Sequence, residues 1–241
     1  MKTALITGAN RGLGRAVAQQ LAEQGMTVIV AARNAAAGET AAQHIGHGAV
    51  SVQLDVTDSA SIAAAAEQVT RSHGALDVLV NNAGILPEAT NTDPAEEVDL
   101  EMFRRTYATN LLGPVGVLEA FLPLLRNSPA GRIVNVTSTM GSLTDQIDPD
   151  SPYYSMALPA YRSSKAALNN VTIALAKQLA ATSIKVTSVC PGFVQTDLTP
   201  INHEQAPLTA AQAAAPIVTA ATLPAGAASG TFIDAAGPVA W

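Results

Sequence analysis

A glycine-rich turn near the start of the chain constrains the fold more than any other feature. Residues 4–7 are a short apolar run with strand character, and residues 13–24 have helical composition. Gly8-Ala9-Asn10-Arg11-Gly12-Leu13-Gly14 joins them. Glycine permits a tight turn and a close approach of backbone. The helix that follows offers free N–H groups and the positive end of its dipole, which suits a pyrophosphate. The spacing Gly-x3-Gly-x-Gly is not the Gly-x-Gly-x2-Gly fingerprint, but the same physics applies.

The rhythm set by this turn continues. Strands are expected over 28–32, 50–54, 77–80, 132–136, 185–189 and 230–234. Helices are expected over 35–45, 59–72, 99–110, 114–125, 161–179 and 209–222. Such alternation predicts an α/β fold: a Rossmann-type, doubly wound, mostly parallel sheet with helices on both faces. Right-handed crossovers then place a ligand outside the carboxyl ends of the strands. A length of 241 residues fits one dinucleotide-binding and catalytic domain over 1–241. Two segments break the rhythm: 141–160, rich in Pro, Asp and Tyr, and the substrate-side loop and helix of 193–222. Long loops beyond strand ends are where pockets and lids form.

A net charge of −6 argues against a nucleic-acid surface. Hydrophobic residues make up 48% of the chain, yet no run is expected to be long enough to span a membrane. Residues 3–7 are too short for a signal peptide. The one cysteine, Cys190, cannot form an internal disulfide, which suits a reducing cytoplasm. It ends an apolar strand and reads as a buried core thiol. No further ligands accompany His44 and His47, so no metal site is expected. His73 and His203 read as loop residues, and Asp148 and Asp150 as loop acids.

The second strand ends in Val30-Ala31-Ala32-Arg33-Asn34, without a carboxylate. An acid there would bind a ribose 2′-hydroxyl. A guanidinium is instead shaped for a 2′-phosphate, and Arg11 in the glycine turn could reach the same group. NADP(H) is therefore expected over NAD(H); the alternative is two solvated surface arginines. Asp55, in Leu54-Asp55-Val56, reads either as a partner of the adenine amino group or as a helix N-terminal acid.

Tyr161 and Lys165, four positions apart, share one face of a helix. A phenol is a poor acid near neutrality, with a reference pKa of about 10. The charge of Lys165, with that of an oxidised nicotinamide, would favour phenolate. A shift of about three units corresponds to roughly 4 kcal/mol of differential interaction. Tyr161 would then be general acid in reduction and base in oxidation.

Taken together, Thr7-Gly8-x3-Gly12-x-Gly14, Asn81-Asn82-Ala83-Gly84, Asn110, Ser138, Tyr161-x3-Lys165 and Pro191-Gly192-Phe193-Val194-x-Thr196 resemble the short-chain dehydrogenase/reductase family over nearly the whole chain. Ala31-Ala32-Arg33, the lengthened segment before Tyr161 and the final Pro238-Val239-Ala240-Trp241 resemble its NADPH-dependent carbonyl reductase branch. The resemblance implies a catalytic tetrad of Asn110, Ser138, Tyr161 and Lys165. Ser138 would bind the substrate carbonyl oxygen and Lys165 the nicotinamide ribose. Asn110 would hold a water that relays protons. Only the family register favours Ser138 over Thr137 and Thr139. The cofactor would lie along Gly8, Asn10, Arg11, Gly12, Leu13, Gly14, Arg33, Asp55, Val56, Asn82, Ala83 and Gly84. Pro191, Gly192, Val194 and Thr196 would hold its carboxamide.

Ser138 and Tyr161 stand 23 positions apart, a longer interval than in compact members of the family. The extra residues must bulge from the pocket rim. Met140, Leu143, Tyr153, Tyr154 and Phe193 are expected to form an aromatic and apolar wall for a bulky carbonyl substrate. The same insert would hinder the common tetramer and favour a monomer or homodimer. The expected activity is NADPH-dependent reduction of a hydrophobic ketone, aldehyde or quinone. The alternatives are an NADP-linked alcohol dehydrogenase of a biosynthetic pathway and a non-catalytic NADP-binding redox sensor.

Overall fold

The structure is a computed structural model that describes residues 2–90 and 98–241. Its centre is one eight-stranded sheet: β1 Thr3–Thr7, β2 Thr27–Ala32, β3 Val50–Gln53, β4 Val78–Asn81, β5 Arg132–Val136, β6 Lys185–Val189, β7 Thr231–Asp234 and β8 Gly237–Pro238. The spatial order is β3-β2-β1-β4-β5-β6-β7-β8. All pairs are parallel except the last, where β8 folds back on β7. The order reverses between β1 and β4, so a crevice opens at their carboxyl ends.

Strand side chains alternate between faces, and this builds two cores. Ala4, Ile6, Val28 and Val30 pack on one face, under α1 Gly12–Glu23, α2 Ala35–Ile45 and a late helix, Ala210–Ala221. Leu5, Ile29 and Ala31 pack on the other, under α3 Ser59–His73 and the aromatic anchor Phe121. Both faces are covered, which is why these strands are apolar throughout.

The helices expected over 99–110 and 114–125 are one continuous path. It runs from α4 Leu100–Tyr107 through a π-helical turn, Ala108–Leu112, into α5 Gly113–Arg126. Gly113-Pro114 reads as a breaker in sequence, yet proline is accepted in the first turn of a helix. Continuity also corrects the expectation about membrane spans. Leu100–Arg126 is 27 residues long and holds an 18-residue stretch with a mean hydropathy of 1.4, enough by length and composition to cross a bilayer. In this fold Val117, Leu118, Phe121, Leu124 and Leu125 bury its apolar side against the sheet.

The insert holds only a 3-10 turn, Thr139–Gly141, a one-turn helix, α6 Leu143–Gln146, and further turns. It leads into α7 Pro159–Gln178. The loop after β6 contains α8 Asn202–Gln205, not foreseen, and a bridge between Val194 and Leu208. The late helix, Ala210–Ala221, is α9 and opens with a capping box at Thr209 and Gln212.

Candidate active site

The crevice at the sheet reversal is a cleft of about 970 Å³. At its base β1 and β4 are stitched together just past their ends. Thr7 Oγ1 accepts the N–H groups of Asn82 and Ala83, each at 3.0 Å, and the Asn82 amide donates to the Thr7 carbonyl at 2.8 Å. Gly8 and Gly12 turn with φ of +66° and +53°. A Cβ on Gly14 would stand 2.5 Å from Asn82 Nδ2 and 2.6 Å from the Gly8 carbonyl, so α1 can begin this close only with glycine there.

Arg11 precedes α1 without a side-chain capping bond, and no acid occupies the first turn. The helix therefore presents N–H groups and positive dipole to the cleft. That chemistry fits a pyrophosphate. Asn10, Leu13, Arg33, Asp55, Val56, Asn82, Ala83, Gly84, Pro191, Gly192, Val194 and Thr196 line the same cleft, as expected from sequence. Burial acts on Asp55, but the Thr57 N–H and hydroxyl and the charge of Arg33 outweigh it and hold the carboxyl below its ordinary value. Arg11, which also lines the cleft, pairs with Asp197 at 3.1 Å, and His203 contacts the other oxygen of Asp197 at 2.8 Å. Bonding from His203 first, opposed by slight burial and aided by Arg11, lowers the Asp197 carboxyl.

At the opposite end Tyr161, Lys165 and Ser138 converge. Lys165 Nζ lies 5.7 Å from the centre of the Tyr161 ring and donates to the Val136 carbonyl at 3.0 Å. Of the three neighbouring hydroxyls, Ser138 is the one whose polarity pulls the Tyr161 phenol down from the value burial gives it. Thr137 instead donates to the Lys165 carbonyl, and Thr139 receives the Cys190 thiol at 3.8 Å. Cys190 is buried as expected, but it borders the cleft.

Asn110 sits in the π turn with its side chain fully engaged. Its amide donates to the Ile85 carbonyl at 2.9 Å and to Ser164 Oγ at 3.2 Å, and its Oδ1 accepts the Ile85 N–H at 2.9 Å. In this turn the Gly113 N–H reaches back five residues to the Ala108 carbonyl, the spacing of a π-helix. Turns of this kind are frequent at functional sites. Gly84 keeps the space open: a Cβ there would be 3.5 Å from Asn110 Oδ1 and 3.6 Å from Lys165 Nζ.

The chain as a whole is similar to known proteins. Residues 2–206 match the family described as short chain dehydrogenase. The chain belongs to the short-chain dehydrogenase family. A short-chain dehydrogenase (anuI) of Penicillium roqueforti is 40% identical over 90% of this chain and 87% of its own. The (-)-isopiperitenone reductase of Mentha piperita is 32% identical, covering 95% of both chains. Among solved structures, the NADPH-bound carbonyl reductase from chicken fatty liver superposes with a TM-score of 0.85 at 28% identity, over 100% of this chain and 99% of that one. As a member of this family the chain is an oxidoreductase that works with a nicotinamide cofactor.

Several residues of this short-chain dehydrogenase do not stand as expected. Leu143 and Tyr154 lie on the surface, 65% and 54% exposed, while Met140, Tyr153 and Phe193 line the cleft. Met156 and Leu158 join them, although sequence reasoning passed over both. Glu88 was also missed. Its carboxylate accepts the N–H of Ala160 at 2.9 Å and of Tyr161 at 2.7 Å, capping α7 from 72 residues away. α7 has no cap of its own, because Leu158 precedes it in a left-handed conformation without a side-chain bond. Leucine before Pro159 where a Ser, Thr, Asn or Asp would cap was the one signal that a partner must come from elsewhere.

The electrostatics also differ from the expectation. Burial foremost, with the neighbouring Cys190, raises the Tyr161 phenol above its ordinary value, against a lowering pull from Ser138. Burial lowers the Lys165 ammonium to about 8. A lysine that sheds its proton more easily in the folded state leaves the unfolded chain with more bound protons between pH 8 and 10.5, so stability rises across that window. The raised tyrosine acts oppositely above about pH 10. Lys165→Met should therefore be more stable than the parent near pH 7, and the difference should shrink towards pH 10. Urea unfolding from pH 7 to 10 checks this; a difference that grows with pH contradicts it.

Proposed function

We propose that the protein reduces hydrophobic ketones or aldehydes with NADPH, Tyr161 supplying the proton. The observation that carries this reading is the buried Tyr161, beside Lys165 and lining with Ser138 the cleft that also holds Arg33. The bound cofactor would supply the hydride. A carbonyl oxygen seated between the Ser138 and Tyr161 hydroxyls receives two donors where negative charge develops. Burial keeps the phenol protonated at neutral pH, the form that donates. The Lys165 charge stabilises the phenolate left behind. Met102, Met140, Tyr153, Met156, Phe193 and Leu198 support an apolar substrate.

Preference for NADPH rests on Arg33 and on the lack of an acid at the end of β2. Charge-assisted hydrogen bonds are worth about 1.5–3 kcal/mol. Arg33→Ser should accordingly raise KM for NADPH by about ten- to a hundredfold and leave KM for NADH nearly unchanged. Initial rates with both cofactors test it. Equal KM shifts for the two would remove Arg33 from 2′-phosphate recognition.

A further inference from the structure

We propose that Arg162 is a specificity-determining positioning residue that holds the substrate wall against the catalytic helix. It follows Tyr161 directly, yet it does not line the cleft as Tyr161 does, and its side chain is only 6% exposed. From there Nε donates to the Met140 carbonyl at 3.3 Å, and Nη1 donates to the carbonyls of Tyr153 at 3.0 Å and Met156 at 2.5 Å. These are three of the residues whose side chains line the substrate end of the cleft. Nη2 faces Asp145 Oδ2 at 3.8 Å, and neither atom has a hydrogen bond among the described residues.

The insert has little else to fix its shape. It contains one helical turn, and Leu143, Ile147, Tyr154 and Met156 spend little apolar surface on packing. Its other anchors are few: Thr144 bonds to the Trp241 carbonyl through N–H and hydroxyl, at 3.1 and 2.8 Å, and Gln146 Nε2 bonds to the Met140 carbonyl at 3.2 Å. A planar guanidinium can bind several carbonyls at fixed angles; an ammonium cannot hold the same set. Because Arg162 and Tyr161 are adjacent on one rigid helix, the spacing between wall and proton donor is set at Arg162. A bulky carbonyl compound uses that wall, whereas a small aldehyde needs only Tyr161 and Ser138.

The inference rests on the reductase reading above, and the test separates the two. kcat/KM is measured with NADPH for a small aliphatic aldehyde and a bulky aryl ketone, in the parent, Arg162→Lys, Arg162→Met and Asp145→Asn. Amide hydrogen exchange across 143–158 is recorded alongside. The ketone-to-aldehyde ratio should fall at least tenfold in Arg162→Met, through KM for the ketone, with faster exchange in the insert. Arg162→Lys should recover only part of the ratio. Should Arg162→Met fail to fold, Asp145→Asn carries the test, with a fall of about threefold in the same direction. Equal loss on both substrates, or an unchanged ratio and unchanged exchange in folded variants, overturns the proposal. A parent protein inactive on every carbonyl refutes the reductase reading, and exchange in the variants then still decides whether Arg162 anchors the wall.

Discussion

Tyr161→Phe should lower kcat for ketone reduction by about 10²- to 10⁴-fold, the usual contribution of a positioned general acid. At 1.36 kcal/mol per decade that corresponds to roughly 3–5 kcal/mol of barrier. The ring contributes to the buried wall of the cleft and is retained, so the variant should bind NADPH and unfold much as the parent does. The neighbouring Ser138 hydroxyl already accepts the Met140 N–H at 3.1 Å. Little stability is therefore at stake. Stopped-flow or steady-state NADPH oxidation, with cofactor binding followed by fluorescence, separates chemistry from binding. Turnover equal to the parent would remove Tyr161 from the role of acid.

Gly141→Ala should destabilise the protein and disable it together. A Cβ at this position would stand 2.7 Å from the Lys165 carbonyl carbon, 2.7 Å from Lys165 Cβ and 2.9 Å from the Ala166 nitrogen. Two of these are backbone of α7, which cannot yield as a side-chain tip can. Gly141 is absent from the positive-φ glycines, so the difficulty is space and not conformation. Overpacking of this kind costs about 1–3 kcal/mol, and more where backbone must move. In a chain of this size each kcal/mol lowers Tm by roughly 2–4 °C. The displaced atoms belong to Lys165, so kcat should fall as well. Gly48→Ala is the control: φ is +74° and nothing lies within 4 Å of its Cβ, so it should cost some stability and no activity. Calorimetry and kinetics on both variants decide the matter; a Gly141→Ala protein with parental Tm and kcat would contradict the close contact.

How much of this was legible beforehand depends on the range of the interaction. Strands such as Leu5 and Ile6, or Ile29 and Val30, announce themselves because both faces of a parallel sheet are buried. The glycine turn and the pair Tyr161 and Lys165 are equally local, one a turn and the other a helical spacing. Gly113-Pro114 misled, since the same dipeptide ends one helix and starts another, and only the π turn at Asn110 shows that the two are joined. Tyr153 and Tyr154 could not be told apart, because a segment without periodicity does not reveal which side chain faces inward. The choice of Ser138 over Thr137 and Thr139 rested on resemblance alone until the hydroxyls were placed.

The sequence by itself determined the α/β alternation, the glycine turn at its head and the helical pairing of Tyr161 with Lys165, because each follows from spacing within one or two turns of chain. Tertiary structure alone decided that Glu88 caps α7, that Arg162 reaches three carbonyls of the insert, and that Gly141 lies against Lys165. Burial also raises the Tyr161 phenol and lowers the Lys165 ammonium in the protein alone. The reason is common to all of these: burial depth and contacts such as those of Glu88 with Ala160 or Gly141 with Lys165 arise only when the sheet and its helices close together, and local pattern carries no record of them.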